Sequence, residues 1–301
     1  MTRTTDDDRT RLEAAHWLPT LGPFGCFGRR WWIRTTDTGL AELLEDLYGD
    51  LLAPHDAEVV ADATFSVLAP TDDDGGLVYR DRTRLRADRS PHSVLSALVW
   101  GINRWVLDEA SRDRLLLHAG GVVREDGRAV VLPAPSQSGK STLTTGLLDR
   151  GYGYLSDEAV SVTADRQLEG YPKPLSLDPG AWEALSHHEP QLPAAHARYL
   201  DRQWHVRASS FTAVPSDAQM GAVVFPRYDH DAVDTTIERV SPSTAVMTAG
   251  ASTFAPGNAA RIEAWQVRTL AAALSGIPCY RLVTTELPRA LDLVEDVLRQ
   301  L

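Results

Sequence analysis

Apolar and polar residues near the start of the chain follow first a strand pattern and then a helix pattern. The segment RRWWIRTT at 29–36 is typical of a strand, and the leucines after it recur at helical spacing. The leucines of this predicted amphipathic helix are Leu40, Leu43, Leu44, Leu47 and Leu51. Residues 1–28 follow neither pattern and end in GPFGCFG, which predicts an irregular leader.

Two further strands and a long helix are predicted before residue 110. ATFSVLA at 63–69 and LVYRDRTRLR at 77–86 flank TDDDGG, a sequence typical of a hairpin turn. Ser90 and Pro91 then open a helix. Together these elements predict an α+β module over residues 1–110. Because the module contains no cluster of catalytic residue types, we expect it to recognise a substrate or to support the rest of the chain.

The remaining residues, 111–301, alternate strand and helix patterns. RAVVL at 128–132 predicts a short buried strand, and KSTLTTGLLDR from Lys140 predicts a helix. YGYLSDEAVSV at 152–162 predicts the next strand. A helix near 265–274, the strand IPCYRL and the amphipathic ELPRALDLVEDVLRQL follow towards the C-terminus. This alternation predicts an α/β domain.

Composition argues against several classes of protein. The 301-residue chain has a net charge of −11, whereas a surface that coats nucleic acid or anionic membrane has to be basic. No window offers the roughly 18 consecutive apolar residues of a membrane span, and the charged N-terminus does not resemble a signal peptide. Cys26 and Cys279 lie far apart without metal-ligand spacing. We therefore expect a cytoplasmic protein with reduced thiols and with no nucleic-acid or membrane partner.

The segment LPAPSQSGKSTL at 132–143 is the first candidate for chemistry. It matches the phosphate-binding pattern G-x-x-x-x-G-K-[ST] at Gly139, Lys140 and Ser141, although Ala134 stands where the first glycine belongs. The segment lies between a predicted strand and a predicted helix, where backbone N–H groups and a helix N-terminus can bind phosphate. The alternative is a serine-rich turn that contains GKS by chance.

Lysine usage favours the phosphate-binding interpretation. The chain has 30 basic residues, and only Lys140 and Lys173 among them are lysine. Such a bias is typical of a GC-rich genome, under which lysine persists where arginine cannot replace it. Because a compact ammonium fits a tight phosphate cradle better than a planar guanidinium, a lysine retained in this loop is informative.

Asp157 and Glu158 are the second candidate for chemistry. The predicted helix rises about 15 Å at about 1.5 Å per residue, and the predicted strand returns about 20 Å, so both carboxylates come back to the level of the loop. There they could hold Mg²⁺ and accept a proton from a hydroxyl. Consecutive strand residues face opposite sides, so both can serve only if the strand ends or bends here. The alternative is an acidic pair at an exposed strand end.

Three segments together resemble the HPr kinase/phosphorylase family. They are LLLHAGGVV, APSQSGKSTL and LLDRGYGYLSDEAV, in this order and spacing. They are still more similar to the HPr kinase-related proteins found beside peptide-modification genes in bacteria, and the resemblance covers roughly residues 112–301. It implies a P-loop kinase domain of the HPr kinase type over 111–301, with ATP and Mg²⁺ as cofactors, preceded by the smaller α+β module.

The resemblance also implies how the cofactors are held. Lys140 would contact the β- and γ-phosphates, and Ser141 would bind Mg²⁺ with help from Glu158 and Asp157. The residues that would wrap the ATP phosphates are Ser136, Gln137, Ser138, Gly139, Lys140, Ser141 and Thr142.

Four further roles concern the acceptor and the transferred group. The resemblance implies that Asp157 is the general base towards the acceptor hydroxyl and that His118 lies nearby to support it. Arg227, in FPRY, would stabilise charge on the transferred phosphoryl group. Lys173, in PKP, is assigned to substrate binding because lysine is so rare in this chain.

Each of these residues also has a purely structural interpretation. His118 lies in an apolar run and could be a hydrogen-bonded core histidine, Arg227 could be an ion-pair partner, and Lys173 could belong to a rigid turn. The four histidines between residues 183 and 215 do not repeat a metal-ligand spacing, so we expect solvated side chains there.

The expected function is a Mg²⁺- and ATP-dependent kinase that acts on a Ser or Thr hydroxyl of a protein or ribosomally made peptide. The namesake enzymes have glycine where this chain has Ala134 and Gln137, and aspartate where it has Glu158, so we expect no phosphorylase activity. The alternatives are a kinase of a small alcohol and a non-catalytic nucleotide-binding regulator. The sequence is compatible with a homo-oligomer and does not determine the oligomeric state.

Overall fold

The computed structural model describes residues 5–54, 61–71, 73–211, 215, 218–256, 259 and 261–301. The chain has a mixed α/β fold and divides into two compact units, one comprising Met1–Val106 with Pro190–Arg207 and the other Leu107–Glu189 with Ala208–Leu301. This division differs from the predicted domains 1–110 and 111–301 in two places: residues 107–110 group with the second unit, and Pro190–Arg207 groups with the first. None of the helices in the described ranges combines the length and apolar content needed to cross a bilayer.

The first unit is built on a five-stranded sheet with the strand order β1-β2-β3-β4-β5. The strands are β1 (Leu21–Cys26), β2 (Arg29–Thr35), β3 (Ala63–Leu68), β4 (Gly76–Arg80) and β5 (Thr83–Asp88). The helices are α1 (Asp6–Ala14), α2 (Thr38–Leu47) and α3 (Pro91–Ala110), the last of which begins in this unit. The pair β2–β3 is parallel and the other neighbours are antiparallel.

Most of the elements predicted for this unit are present, but the prediction of an irregular leader over residues 1–28 was wrong. Strand β2, helix α2 and helix α3 lie where the apolar patterns placed them. The leader instead contains α1 and β1. Helix α1 has hardly any apolar stripe and is stabilised by polar contacts: Thr5 and Asp8 form a capping box, and Arg84 pairs with Asp8 at 2.6 Å.

The prediction of one strand over 77–86 was also wrong. The segment forms two antiparallel strands, β4 and β5, which are joined by a turn in which Asp81 has a φ of 53°. Aspartate tolerates this left-handed conformation better than most residues, so RDRT is itself a turn signal. Of the predicted turn before β4, residue 72 lies outside the described residues.

The second unit is built on an eight-stranded mixed sheet with the order β10-β9-β6-β7-β13-β15-β14, and β8 pairs with β6. Its strands are β6 (Leu116–Val123), β7 (Arg128–Pro133), β8 (Gly153–Ser156), β9 (Ala159–Val162), β10 (Gln167–Gly170), β13 (Ala218–Tyr228), β14 (Thr236–Arg239) and β15 (Cys279–Thr284). Its helices are α4 (Lys140–Asp149), α5 (Pro179–Trp182), α7 (Pro242–Ala251), α8 (Ala264–Leu274) and α9 (Leu287–Arg299). Short elements outside both large sheets are β11 (Leu175–Leu177), β12 (Trp204–Val206) and α6 (Ala194–Ala197).

Both faces of the second sheet are covered by helices. Successive residues of β7, Val130 and Val131, contribute to two different apolar clusters because strand side chains alternate between the faces. One cluster includes residues of α7 and α8, and the other includes residues of α4 and α9. Strand β7 is therefore buried on both sides, as its apolar run RAVVL predicts.

A glycine in β6 lets helix α4 lie close to the sheet. A Cβ atom at Gly120 would come within 2.6 Å of the Oγ1 atom of Thr144 in α4. A larger side chain would therefore crowd Thr144, and glycine removes this obstacle to close packing of α4 on β6. This requirement accounts for one of the two adjacent glycines of LLLHAGGVV.

Candidate functional site

The loop at 134–139 connects the buried strand β7 to the N-terminus of α4. The predicted strand and helix on either side of the loop are both confirmed. Because the first N–H groups of a helix have no intrahelical acceptor, the loop and the first turn of α4 present donors that an anion could accept. The position is therefore suited to phosphate, whichever molecule carries it.

The backbone of this loop explains why one missing glycine is tolerated. Gly139 caps α4 with a φ of 85°, a left-handed conformation in which glycine is unstrained. Ala134 has no positive φ, so its Cβ costs nothing there. Gln137, at the second position that the resemblance associates with glycine, does have a φ of 63°.

Substitutions at Gln137 are expected to change stability through this conformation. Gln137→Gly should leave the free energy of unfolding within about 1 kcal/mol of the original, whereas Gln137→Val should lower it by roughly 1–2 kcal/mol. Denaturant unfolding measures both, and Ser136→Val, at a neighbouring exposed position without positive φ, is the matched control. Equal losses for the two valine variants would contradict the explanation.

The Lys140 side chain folds back onto its own loop. Its ammonium donates to the carbonyl oxygens of Ala134 at 2.8 Å and Pro135 at 2.7 Å, and it lies 3.1 Å from Nε2 of His118. The residue is only 6% exposed. Burial lowers the pKa of Lys140 to about 8, although the negative charges of Glu158 and Asp157 act in the opposite direction.

This lowered pKa predicts a proton uptake when a phosphate anion binds. A polyanion beside Lys140 would restore the charged form, so adding nucleotide at pH 8.5 should take up protons, and at pH 6.5 Lys140 should contribute none. Calorimetry in buffers of different ionisation enthalpy measures the uptake, which Lys140→Ala should remove.

The same lowered pKa also affects the pH dependence of folding stability. Between pH 8 and 10.5 the Lys140 side chain binds more protons in the unfolded chain than in the folded one. It therefore makes the free energy of unfolding rise with pH in that window.

Asp157 and Glu158 occupy the turn between β8 and β9. Strand β8 ends at Ser156 and β9 begins at Ala159, so the condition that the strand must end or bend at the acidic pair is met. The Ser156 hydroxyl oxygen accepts hydrogen bonds from the backbone N–H groups of Glu158 and Ala159, which fixes the turn.

The Asp157 carboxylate is buried among four donors. Its Oδ1 accepts a hydrogen bond from the Tyr154 hydroxyl at 2.9 Å and lies 2.8 Å from Nζ of Lys173. Its Oδ2 accepts from Oγ of Ser141 at 3.1 Å and from the backbone N–H of Ser176 at 3.5 Å. Sequence alone did not indicate Tyr154 or Ser176, although the tyrosine three residues before Asp157 is visible in YGYLSDE.

Glu158, rather than Asp157, is the carboxylate in contact with His118. Nδ1 of His118 lies 3.1 Å from the backbone oxygen of Glu158 and 3.5 Å from its Oε1. Burial raises the pKa of Glu158, but the His118 hydrogen bond and the charges of Lys173 and Lys140 outweigh burial, and the net pKa lies below its ordinary value. His118 therefore links Glu158 to Lys140, and none of the hydrogen bonds or ion pairs among the described residues joins it to Asp157.

The two remaining predicted residues have very different surroundings. Lys173 is 1% exposed, and its ammonium contacts Asp157, so in this conformation it could reach a substrate only through that carboxylate. Arg227 lies near the end of β13 with its side chain 74% exposed and paired to Asp229 at 3.2 Å. The backbone N–H of the following residue, Tyr228, donates to the backbone carbonyl oxygen of Ser138, which places Arg227 beside the loop.

Two features suit a phosphate and a divalent cation at this position. The hydroxyl oxygen of Ser138 is buried in the loop without a hydrogen-bond partner, which is costly unless a ligand supplies one. Ser141 and Asp157 bring hydroxyl and carboxylate oxygens together, and oxygen donors are the ligands that Mg²⁺ prefers. The residues present therefore fit both groups chemically.

Comparison with solved structures finds a distant similarity. The chain is similar to the Hpr(Ser) kinase/phosphatase from Coxiella burnetii, with 13% sequence identity and a TM-score of 0.30. The similarity covers 62% of this chain and 94% of that chain. No model of a known protein family matches the chain, and no curated protein matches it. At this TM-score the similarity supports no functional argument, which has to come from the residues of the site.

Proposed function

We propose that this chain is a phosphotransferase that binds ATP and Mg²⁺ at the 134–142 loop and transfers the γ-phosphate to a Ser or Thr hydroxyl of a protein or peptide. The observation that carries the proposal is the contact between Ser141 and Asp157 beside the contact of Lys140 with His118. These contacts join a phosphate-binding loop to an acidic pair within one small network.

The phosphate end of the reaction uses the loop and the first turn of α4. Backbone N–H groups from Ser136 to Thr142 bind the phosphate oxygens, and the Lys140 ammonium exchanges its two carbonyl partners for the β- and γ-phosphates. Because a carbonyl dipole attracts an ammonium less strongly than a phosphate anion does, this exchange is favourable. When bound, Mg²⁺ neutralises charge on the β- and γ-phosphates.

The environments of the two acids favour a division of roles opposite to the one that the resemblance implies. The Oδ1 atom of Asp157 is occupied by Tyr154 and Lys173, whereas Oδ2 contacts Ser141, the other proposed Mg²⁺ ligand, so Oδ2 suits the metal side. Glu158 has a side chain that is 30% exposed and contacts only His118 among the described ion pairs. We therefore assign Glu158 to orient the acceptor hydroxyl and take its proton, with His118 positioning the carboxylate.

The division of roles has a direct kinetic test. Asp157→Asn should raise the Mg²⁺ concentration needed for half-maximal rate by about 10-fold or more, since an amide binds the cation less tightly. Glu158→Gln should instead lower kcat by about 10²–10⁴-fold at saturating Mg²⁺, since it removes the proton acceptor. Steady-state rates across a Mg²⁺ titration separate the two effects. The opposite pattern would restore Asp157 as the base.

The acceptor class rests on the sequence resemblance and requires its own experiment. Labelled γ-phosphate of ATP is followed, with Mg²⁺, into size-separated extract of the source cells, using the original protein and Asp157→Asn at limiting Mg²⁺. Asp165→Asn is the matched control, because this carboxylate is exposed in the turn after β9 and its side-chain contact among the described residues is with the hydroxyl of Thr163.

Each outcome of the labelling experiment selects one function. Label in proteins or peptides that depends on Asp157 supports the proposal and gives the acceptor a mass. Label in small molecules supports a kinase of a small alcohol. Measurable ATP binding without any transfer would leave a nucleotide-binding regulator and overturn the proposal.

A further inference from the structure

Three side chains that the proposed reaction does not use converge at the C-terminal end of α4. Nε2 of His187 lies 3.0 Å from Oδ2 of Asp149, and Nε2 of His188 lies 2.7 Å from Oδ1 of the same carboxylate. One atom from each of the three residues lies within 4.8 Å of the other two. Sequence alone predicts solvated histidines in this segment, because no metal-ligand spacing repeats along it.

The two imidazole rings are held by packing as well as by the carboxylate. Their centroids are 4.0 Å apart, and the His188 ring lies 4.4 Å from the ring of Phe211. The His188 side chain is 16% exposed and that of His187 is 60% exposed. One imidazole is thus fixed against an apolar neighbour, and the other lies at the solvent side of the cluster.

We propose that Asp149, His187 and His188 form a binding site for one divalent transition-metal ion, with Zn²⁺ as the best match. Two imidazole nitrogens and one carboxylate oxygen are a ligand set typical of Zn²⁺ and unsuited to Mg²⁺ or Ca²⁺. Tetrahedral ligands at about 2.0–2.1 Å from Zn²⁺ stand about 3.3 Å apart, so small side-chain rotations bring the present atoms to that spacing. A water molecule takes the fourth position.

The local electrostatics favour a cation at this point. Asp149 is the last residue of α4, where the helix dipole places partial negative charge. The neighbouring cation, Arg150, is directed towards α9, where it pairs with Asp292 at 2.9 Å and with Glu295. Its charge is therefore compensated by carboxylates other than Asp149.

Metal binding would connect distant parts of the second unit. Asp149 and His187 are 38 residues apart in sequence, and the segment between them contains Asp157, Glu158 and Lys173. A bound ion would join the end of α4 to the short helical turn Ser186–His188. It would thereby stabilise the folded state by mass action, in proportion to the logarithm of the metal concentration.

The competing explanation is a pair of His–Asp hydrogen bonds without metal, and the two differ in their pH dependence. Metal binding needs the Nε2 lone pairs, so protons compete with the metal and binding weakens as pH falls from 7.5 to 5.5. Ion pairing between imidazolium and carboxylate strengthens over the same range. The sign of the change with pH therefore distinguishes the two.

The experiment titrates Co²⁺, as a visible substitute for Zn²⁺, into chelator-treated protein at pH 7.5 and again at pH 5.5. The proposal predicts the intense visible absorption of a tetrahedral site, saturating near one equivalent, displaced by Zn²⁺ and weakened at least 10-fold at pH 5.5. His188→Ala and Asp149→Asn should lose the absorption. His196→Ala should retain it, because this histidine also pairs with a single carboxylate, Glu42 at 3.1 Å, but has no second imidazole in that pair.

Several outcomes would overturn the metal site. The first is an absent spectrum or only the weak spectrum of octahedral Co²⁺, and the second is a tetrahedral spectrum that survives His188→Ala. The third is loss of the spectrum in His230→Ala, which would place the ion at Asp229, His230 and Asp231 instead. If His188→Ala does not fold, His188→Gln replaces it, and Zn²⁺ should raise the melting temperature of the original protein but not of this variant. The readout is metal binding alone, so it does not depend on phosphotransferase activity.

Discussion

Lys140→Ala is expected to lower the rate of phosphoryl transfer at least about 10³-fold while the protein remains folded. In the proposed function the ammonium contacts the phosphates from within the loop, and charge stabilisation supplies most of the rate enhancement in this type of reaction. Rate measurements with saturating ATP, together with circular dichroism of the variant, separate a lost charge from a lost fold. Activity within 10-fold of the original would overturn the assignment of the loop.

The conservative variant Lys140→Arg sharpens this prediction. The ammonium fits between two carbonyl oxygens and one imidazole nitrogen at 2.7–3.1 Å, and a planar guanidinium of greater width cannot take the same position. We therefore expect Lys140→Arg to lose most of the activity although it keeps the charge. Full activity of this variant would mean that charge alone suffices and that the tight contacts of Lys140 are incidental.

Lys173→Met is expected to lower the free energy of unfolding by about 3–5 kcal/mol. Lys173 and Asp157 are both 2% exposed at the side chain, and removing one member of a buried pair leaves the other charge without its partner. Methionine keeps most of the length and volume of lysine, so the loss reports charge rather than packing. Chemical denaturation followed by circular dichroism measures it.

A double variant distinguishes a lost charge from a lost contact. Lys173→Met combined with Asp157→Asn removes both charges and should recover at least half of the stability lost in Lys173→Met alone, because no unpaired charge remains. If the stability lost in the double variant equals the sum of the losses in the two single variants, Lys173 and Asp157 are not directly coupled.

The parts of the fold that sequence predicted are those with a clear apolar period. RAVVL and the leucines after Lys140 predicted β7 and α4 because each buries a continuous face. The lengths of the predicted helix and strand placed Asp157 and Glu158 at the level of the loop, but YGYLSDEAVSV was predicted as one strand, and the turn that divides it into β8 and β9 was not predicted. Helix α1 could not be predicted in this way, since Thr5 and Asp8 stabilise it through capping rather than through an apolar stripe.

The contacts between distant residues were beyond a pattern argument. Lys173 meets Asp157 only because the strands β9 and β10 return the chain to the β8 turn, and neither residue carries a signal for the other. The same holds for Asp149 and the two histidines, which are brought together by the packing of separate segments. Sequence indicated which residue types were present but not which of them would share a partner.

The scarcity and burial of lysine have a consequence for covalent chemistry. Both side-chain amines of the chain are shielded, but Lys140 is 6% exposed with a pKa near 8, whereas Lys173 is 1% exposed and bound to a carboxylate. At mildly alkaline pH a large fraction of Lys140 is the uncharged, nucleophilic amine. An acylating reagent small enough to enter the loop would therefore modify Lys140 in preference to Lys173, and any occupant of the loop would protect it. The protein thus contains its own chemical reporter of loop occupancy, without an introduced label.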